Sequence, residues 1–425
     1  MSFQTGLSGL NSSSRSLDVI GNNIANANTV GMKSSRTEFS DLVASTNGLS
    51  GANSAGIGTA IGAVSQQFAQ GNINITGNDL DVAINGGGFF QVSLRDGSTA
   101  YTRDGQFKLD NAGNIVNNSG AKLLGYPTDV SGTPTSSIAQ TLNLPTAAPI
   151  AAKQTSAITA EFNLDARAVV AASATPPTPR TTYGTSLTAY DSQGVAVPVN
   201  LYFERAASTP ANPTAVPPVT ASDNWNVYDV ATGGAALFQM QFDGSGAPVS
   251  YTSGTPAVTT PASTPFALSI NPPNGITPTF TANLDISKAT QYGSSFAVSN
   301  LTQDGYAPGN LLSVKIGDKG VITARYSNGQ TQAAGQIALA NFRNVQGLAA
   351  SGAGNWVQTV NSGPAVPGAP GQGNLGVLTS GAVEESNVDL TAELVNMMTA
   401  QRAYQANAQT IKTQDQVMST LVNLR

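Results

Sequence analysis

Hydrophobic positions repeat every three or four residues at the two ends of this chain. Between them lie strand-length apolar runs broken by turn residues. At the amino end Phe3, Leu7, Leu10, Leu17, Ile20 and Ile24 keep a helical spacing. At the carboxyl end Leu390, Leu394, Met397, Tyr404, Ala408, Ile411, Met418 and Val422 keep it over several heptads, and residues 382–425 hold neither Gly nor Pro. Asp389 or Asn387 can cap the start of this second helix. Four of its acids (Glu384, Glu385, Asp389, Glu393) come first and Arg402, Lys412 and Arg425 later, the order that suits a helix dipole. Two amphipathic helices are predicted, one at each end.

Their polar faces are unusual. Where a solvated helix would carry Lys and Glu, these carry Gln401, Gln405, Gln409, Gln414 and Gln416, and in the first helix Ser and Asn. Amides are buried at far lower cost than charges when they are hydrogen-bonded. The first helix also runs into Gly21, Asn22, Asn23, Asn26 and Asn28. These poor helix formers cost roughly 3–4 kcal/mol together relative to alanine. An isolated helix could not carry that, so something outside the segment must hold it. A two-helix stem formed by the termini alone and helices surrounded by protein on several sides both fit this pattern.

Between the helices, DVAINGGGFFQVSL, TAYTRDGQFKLD and NAGNIVNNSGAKLLGY read as strands, with hairpin turns at Asp104-Gly105 and at Asn111 to Gly113. VITARYSNGQTQAAGQIALANF repeats the texture, with Asn328-Gly329 at its turn. TAYDSQGVAVPVNLYF and ALFQMQFDGSGAPVSY give the middle of the chain strands of its own, and ASATPPTPRTT and ASTPANPTAVPPVT read as surface loops. Proline sharpens the division: none precedes Pro127 or follows Pro370, and 16 of the 23 fall between 146 and 306. The predicted fold is mixed α and β, with long N- and C-terminal helices pairing as a coiled coil and two β-rich domains, one inserted into the other. The expected boundaries are 1–28 for the first helix, 29–70 for an extended connection, 71–145 with 306–370 for a discontinuous β domain, 146–305 for the insertion, and 371–425 for a connection and the last helix.

Composition narrows the chemistry. The 425 residues carry a net charge of −5, and only 10% are charged, with no basic cluster, so no nucleic-acid footprint is present. There is no Cys and no His, which excludes disulfides, thiolate nucleophiles, imidazole bases and Cys/His zinc sites. MSFQTGLSGLNSSSR has neither a basic region nor a long apolar run, so no cleaved signal peptide is expected, and no stretch approaches a membrane span. Gly86-Gly87-Gly88 lacks the Gly-Lys-Ser/Thr of a phosphate loop and leads into Phe89-Phe90, which reads as a tight turn before a strand. Asp104 with Asp110, or Asp191 with Asp243, could be a hydrolase pair, but each sits beside Gly or Asn in a turn where its carboxylate bonds local backbone. No enzyme, cofactor or metal site is expected. Gln401 and Arg402 form a candidate contact patch beside Tyr404.

At this point the residues resemble a known family. LSGLNSSSRSLDVIGNNIANANTVGMK is similar to the N-terminal signature of bacterial flagellar rod and hook axial proteins, and SNVDLTAELVNMMTAQRAYQANAQTIKTQDQVMSTLVNLR to their C-terminal signature. LDVAINGGGFF, YTRDGQFKLD and GQIALANFRNVQGLAASG resemble their shared β domain, whereas 146–306 match loosely. Met32 departs from the aromatic usual after that Gly. Length and the inserted segment point to the hook-forming branch rather than a distal-rod type. A fibre or adhesin is the alternative from another class. The resemblance implies a subunit that self-polymerises into a flexible tube transmitting motor torque from rod to filament, with the terminal helices lining the inside. Gly21, Asn22, Asn23, Asn26, Asn28, Gln401 and Arg402 would then meet neighbouring subunits, their amides satisfied across subunit contacts. It also implies an extracellular location reached through the flagellar type III export apparatus. The partners implied are the distal rod, a hook cap, a hook–filament junction protein and a hook-length ruler.

Overall fold

In the computed structural model the described residues are 2–43, 56–144, 149–173, 178–211, 221–254, 256–273, 275 and 277–423. The chain divides into two compact units. Unit 1 comprises Met1–Ala148, Leu311–Arg325 and Thr331–Arg425, and unit 2 comprises Pro149–Asn310 and Tyr326–Gln330.

Unit 1 begins with helix α1 (Ser2–Ala25) and ends with helix α2 (Leu390–Asn423). Asp389 caps α2, its Oδ1 accepting from the amides of Thr391 at 2.9 Å and Ala392 at 3.2 Å. Residues read from sequence as a mere connection fold back as a hairpin of strands β1 (Ser35–Val43) and β2 (Gly56–Gln66), which lies along α1. Small residues in GIGTAIGAVSQ hide this strand from a hydrophobicity pattern. Ser12 and Thr59 share a hydrogen bond of 3.0 Å between helix and hairpin.

The body of unit 1 is one large sheet. Its main path runs through strands 311–316, 321–326, 331–337, 122–126, 89–93, 99–102, 355–357 and 349–352. The core under it includes Ile84, Phe90, Phe107, Ile115, Leu123, Ile337 and Leu339, all essentially without solvent contact. A second cluster of Phe89, Tyr101, Phe342 and Trp356 packs ring edge to ring face and receives Phe68 from the segment after β2.

Unit 2 is built from a five-stranded sheet around 157–165 and a six-stranded antiparallel meander from 184–190 to 258–261. Ile158 and Phe162 of the first share one core with Phe203, Trp225 and Met240 of the second.

One turn device recurs through both units. In 110–114, 117–121, 129–133, 191–195 and 243–247 an Asp or Asn side-chain oxygen accepts the amides of the residues two and four further on. The fourth residue is a glycine at φ between 78° and 91° in every case. Asp110, Asp191 and Asp243, weighed above as possible acids, are thereby turn residues. The Asn328-Gly329 and Asn111-to-Gly113 hairpins form as read. The Asp104-Gly105 one does not: strand 99–102 pairs with 89–93 and 355–357, and strand 107–109 with 115–117. Gly105 is instead a close crossing, where a Cβ would stand 1.7 Å from the Val82 carbonyl oxygen. Gly86 and Gly87 likewise give room for backbone at Gly376 and Asn374, and Gly88 for the Leu375 side chain, a tight turn and not a phosphate cradle.

Candidate assembly interface

α1 and α2 run antiparallel. Gly6 lies against Ile411, Gly9 against Asn407, and Asn23 donates from Nδ2 to Glu393 Oε1 at 3.2 Å. The half-buried residues on α2 that follow this contact are Glu393, Met397, Ala400, Asn407, Ile411 and Gln414. Their 4-3-7-4-3 spacing is a heptad seam, met on α1 by small residues: Gly6, Gly9, Ser13 and Ser16, then Ile20 and Asn23.

That seam is one position out of phase with part of the stripe read from sequence. Met397 and Ile411 belong to both, and Ala408 is half-buried beside it. Leu390, Leu394, Tyr404 and Met418 are exposed, Leu394 at 51% and Met418 at 61%. The side chain of Val422 lies outside the described residues. On α1, Ile20 is buried, Leu10, Leu17 and Ile24 are half-buried, and Phe3 and Leu7 are exposed. Within one chain the helices therefore close on small and polar side chains, leaving a second apolar stripe uncovered.

The Asn-rich end of α1 divides by role. Asn23 is buried, donating to the Ser35 carbonyl at 2.8 Å and accepting the Ser35 amide at 2.9 Å. It pins the helix to the start of β1, so its amide is satisfied inside the chain and not across a subunit contact as expected. Asn26 donates to the Asn22 carbonyl at 3.0 Å and shapes the turn leaving the helix. Asn22 and Asn28 are exposed, as are Gln401 and Arg402. Gly21 has nothing within 4 Å of where a Cβ would stand, so this chain supplies no reason for a glycine there.

Beyond the helices is a feature the sequence pattern did not reveal. Glu384 has no solvent contact, and neither does Lys33; Arg103 is 5% exposed. Glu384 Oε1 accepts from Lys33 Nζ at 2.5 Å and from the Gly71 amide at 2.9 Å, and Oε2 accepts from Arg103 Nη1 at 2.9 Å. Lys33 Nζ also donates to the Ala69 carbonyl at 2.7 Å, and Arg103 Nη2 to the Gly86 carbonyl at 2.9 Å, with its guanidinium 5.3 Å from the Phe89 ring centre. Burial pushes the Lys33 ammonium below its ordinary pKa, while Glu384 beside it counters the shift. A lone Lys, Arg and Glu spread over 350 residues carry no spacing signal, which is why only the fold brings them together.

Among the described residues no group of three or more His, Cys, Asp or Glu is placed to hold a metal ion, and no helix is long and apolar enough to cross a membrane.

Comparison with known proteins matches nearly the whole chain. The family described as "Flagella basal body rod protein" matches residues 3–33, and "Flagellar hook protein FlgE/F/G D1 domain" matches 83–161. "Flagellar basal body protein FlaE D2 domain" matches 163–306, and "Flagellar basal body rod FlgEFG protein C-terminal" matches 379–424. The chain is 40% identical over 440 residues to the flagellar hook protein FlgE of Escherichia coli (strain K12), covering 100% of both. It is 36% identical over 460 residues to that of Treponema pallidum (strain Nichols), covering 100% of this chain and 99% of the relative. Among solved structures, the crystal structure of Helicobacter pylori flagellar hook protein FlgE2 superposes with a TM-score of 0.50 at 13% identity, over 73% of this chain and 99% of that one. That likeness concerns the fold alone.

Proposed function

The chain belongs to the flagellar hook protein family, and we propose on that footing that it polymerises with its own copies into the hook, a bendable tube that carries torque from rod to filament. It is a structural subunit of the flagellum outside the cell. The observation that supports polymerisation through the helices is the uncovered apolar stripe of α2, where Leu390, Leu394, Val395, Met398 and Met418 are each at least two-fifths exposed. A helix that offers one seam to the small residues of α1 and keeps a second apolar face free is built for more neighbours than one.

In this reading α1 and α2 form an antiparallel coiled coil on the inside of the tube, the sheet of unit 1 forms the next layer, and unit 2 is an inserted domain on the outside. The insertion is taken as 146–305 within a discontinuous domain of 71–145 and 306–370, a reading supported by a compact unit of Pro149–Asn310 with Tyr326–Gln330. Exposed Gln401, Arg402, Asn22 and Asn28 are contacts with neighbouring copies. Distal rod, hook cap, junction protein, length ruler and the type III export apparatus are the further partners proposed.

The test is polymer formation by the purified chain, followed by sedimentation and electron cryo-microscopy. Tubes with the terminal helices lining the lumen are expected. A chain that stays monomeric under every polymerising condition, or tubes with α2 on the outer surface, would refute the reading.

A further inference from the structure

The segments entering and leaving the helix pair, 31–36 and 382–388, satisfy each other's polar groups. The Gly31 amide donates to the Glu384 carbonyl at 2.8 Å, and the Ser34 amide to Asn387 Oδ1 at 2.7 Å. Asn387 Nδ2 donates in turn to the Gln67 carbonyl at 2.7 Å and the Ala69 carbonyl at 3.1 Å. The Glu385 amide reaches the Asn72 carbonyl at 2.8 Å, and strand 73–75 pairs with 382–384. At the centre stands Glu384 with Lys33 and Arg103, all buried.

The charges make these contacts mutually dependent. Two cations face one anion, so withdrawing 382–388 would leave Lys33 and Arg103 buried against each other with no carboxylate. Withdrawing 31–36 would empty the Lys33 site and expose the Glu384 carboxylate to water on one side. Removing one member of a buried ion network is far costlier than removing all of it. Withdrawing 382–388 alone is therefore penalised by two uncompensated cations, and withdrawing 31–36 alone by the lost Lys33 and Ser34 donors at Glu384 Oε1 and Asn387 Oδ1, with Arg103 still on Oε2.

We infer that the two segments form a single latch: they dock together or not at all, and the closed latch is what anchors both helices to the sheet of unit 1. The latch does not rest on the polymerisation reading, because it concerns contacts within one chain.

The experiment is amide hydrogen exchange by mass spectrometry on the full-length chain, free and after sedimentation under polymerising conditions. Peptides covering 31–36 and 382–388 should be protected to the same degree within each sample, and closed in at least one. Glu384→Ala should speed exchange in both segments, on the order of a hundredfold, although 31–36 is untouched in sequence. Glu384→Gln, which keeps an acceptor but not the charge, should speed both by less. Three results would overturn the latch. They are one segment protected where the other is open, both open in every wild-type sample, or Glu384→Ala loosening 382–388 alone.

Discussion

Gly105 is held by its neighbours more tightly than any turn would require. Its carbonyl accepts the Val82 amide at 3.0 Å, and a methyl group at its Cα would meet the Val82 oxygen. Gly105→Ala must push strand 82–85 away from Phe90 and Phe107, and an expected loss of ~2–4 kcal/mol should appear as a lower urea midpoint for unit 1; an unchanged midpoint would show that the crossing yields freely. Asp191 poses a different residue-scale question. Burial raises its pKa, yet the amides of Val195 and Gln193 and the Thr277 hydroxyl outweigh that and hold it below the ordinary carboxylate range. A depressed folded pKa gives stability that is fully present above the unfolded value, near 3.9, and is lost as pH falls through the folded one. Unit 2 should therefore melt progressively lower as pH drops below about 4. Asp191→Asn should flatten part of that slope at small cost near neutrality, since Asn117 performs the same turn role in 117–121. An acid slope identical to wild type would count against this assignment.

At the scale of elements, the two faces of α2 separate two kinds of stability. Ile411 packs against Gly6 across the seam, whereas Leu394 is half exposed and belongs to no core cluster. Leu394→Asp should leave the melting of the free chain unchanged while abolishing sedimentable polymer and motility, because in the tube each copy would bury an unpartnered charge at several kcal/mol. Normal polymer from this variant, or a clear fall in the monomer's melting temperature, would sink the claim. The same helix shows what sequence could and could not deliver. Its existence and a capped start at Asp389 or Asn387 were legible because 34 residues without Gly or Pro keep a helical spacing, and Asp389 is the cap that forms. Its inward face was not, since apolar residues populate two adjacent heptad phases and the partner selects the one lined by Ala400, Asn407 and Gln414, which apolar counting skips. The hairpins at Asn111 to Gly113 and Asn328-Gly329 were readable for the converse reason: the turn is specified locally. Asp104-Gly105 misled because its glycine answers a strand 23 residues earlier, and the Lys33–Glu384–Arg103 node was invisible because no local rule links its members.

At the scale of the whole molecule each unit carries a core of its own. Unit 2 has its own core, from Ile158 to Ala289, and unit 1 has another, from Val82 to Leu378. The two ends of unit 2 leave side by side: the Ile150 amide donates to the Gly309 carbonyl at 2.8 Å, and Lys153 and Tyr306 form a second antiparallel bridge. Replacing 151–308 by a two-residue Asn-Gly turn therefore closes a gap already spanned by hydrogen bonds, with little added loop entropy. The Asn328 side chain loses the Ala307 carbonyl it now binds at 2.7 Å, but it sits at a hairpin tip where water can take that place. The shortened chain should keep the urea midpoint of unit 1, be exported, and still form tubes through α1 and α2. What should change is curvature, if contacts between copies of unit 2 bias the spacing of neighbouring subunits. Electron microscopy of hooks from cells carrying only this variant gives the readout. Straightened or irregularly curved tubes are the expected result; a folded, exported subunit that yields no tube would place unit 2 among the parts that assembly itself requires.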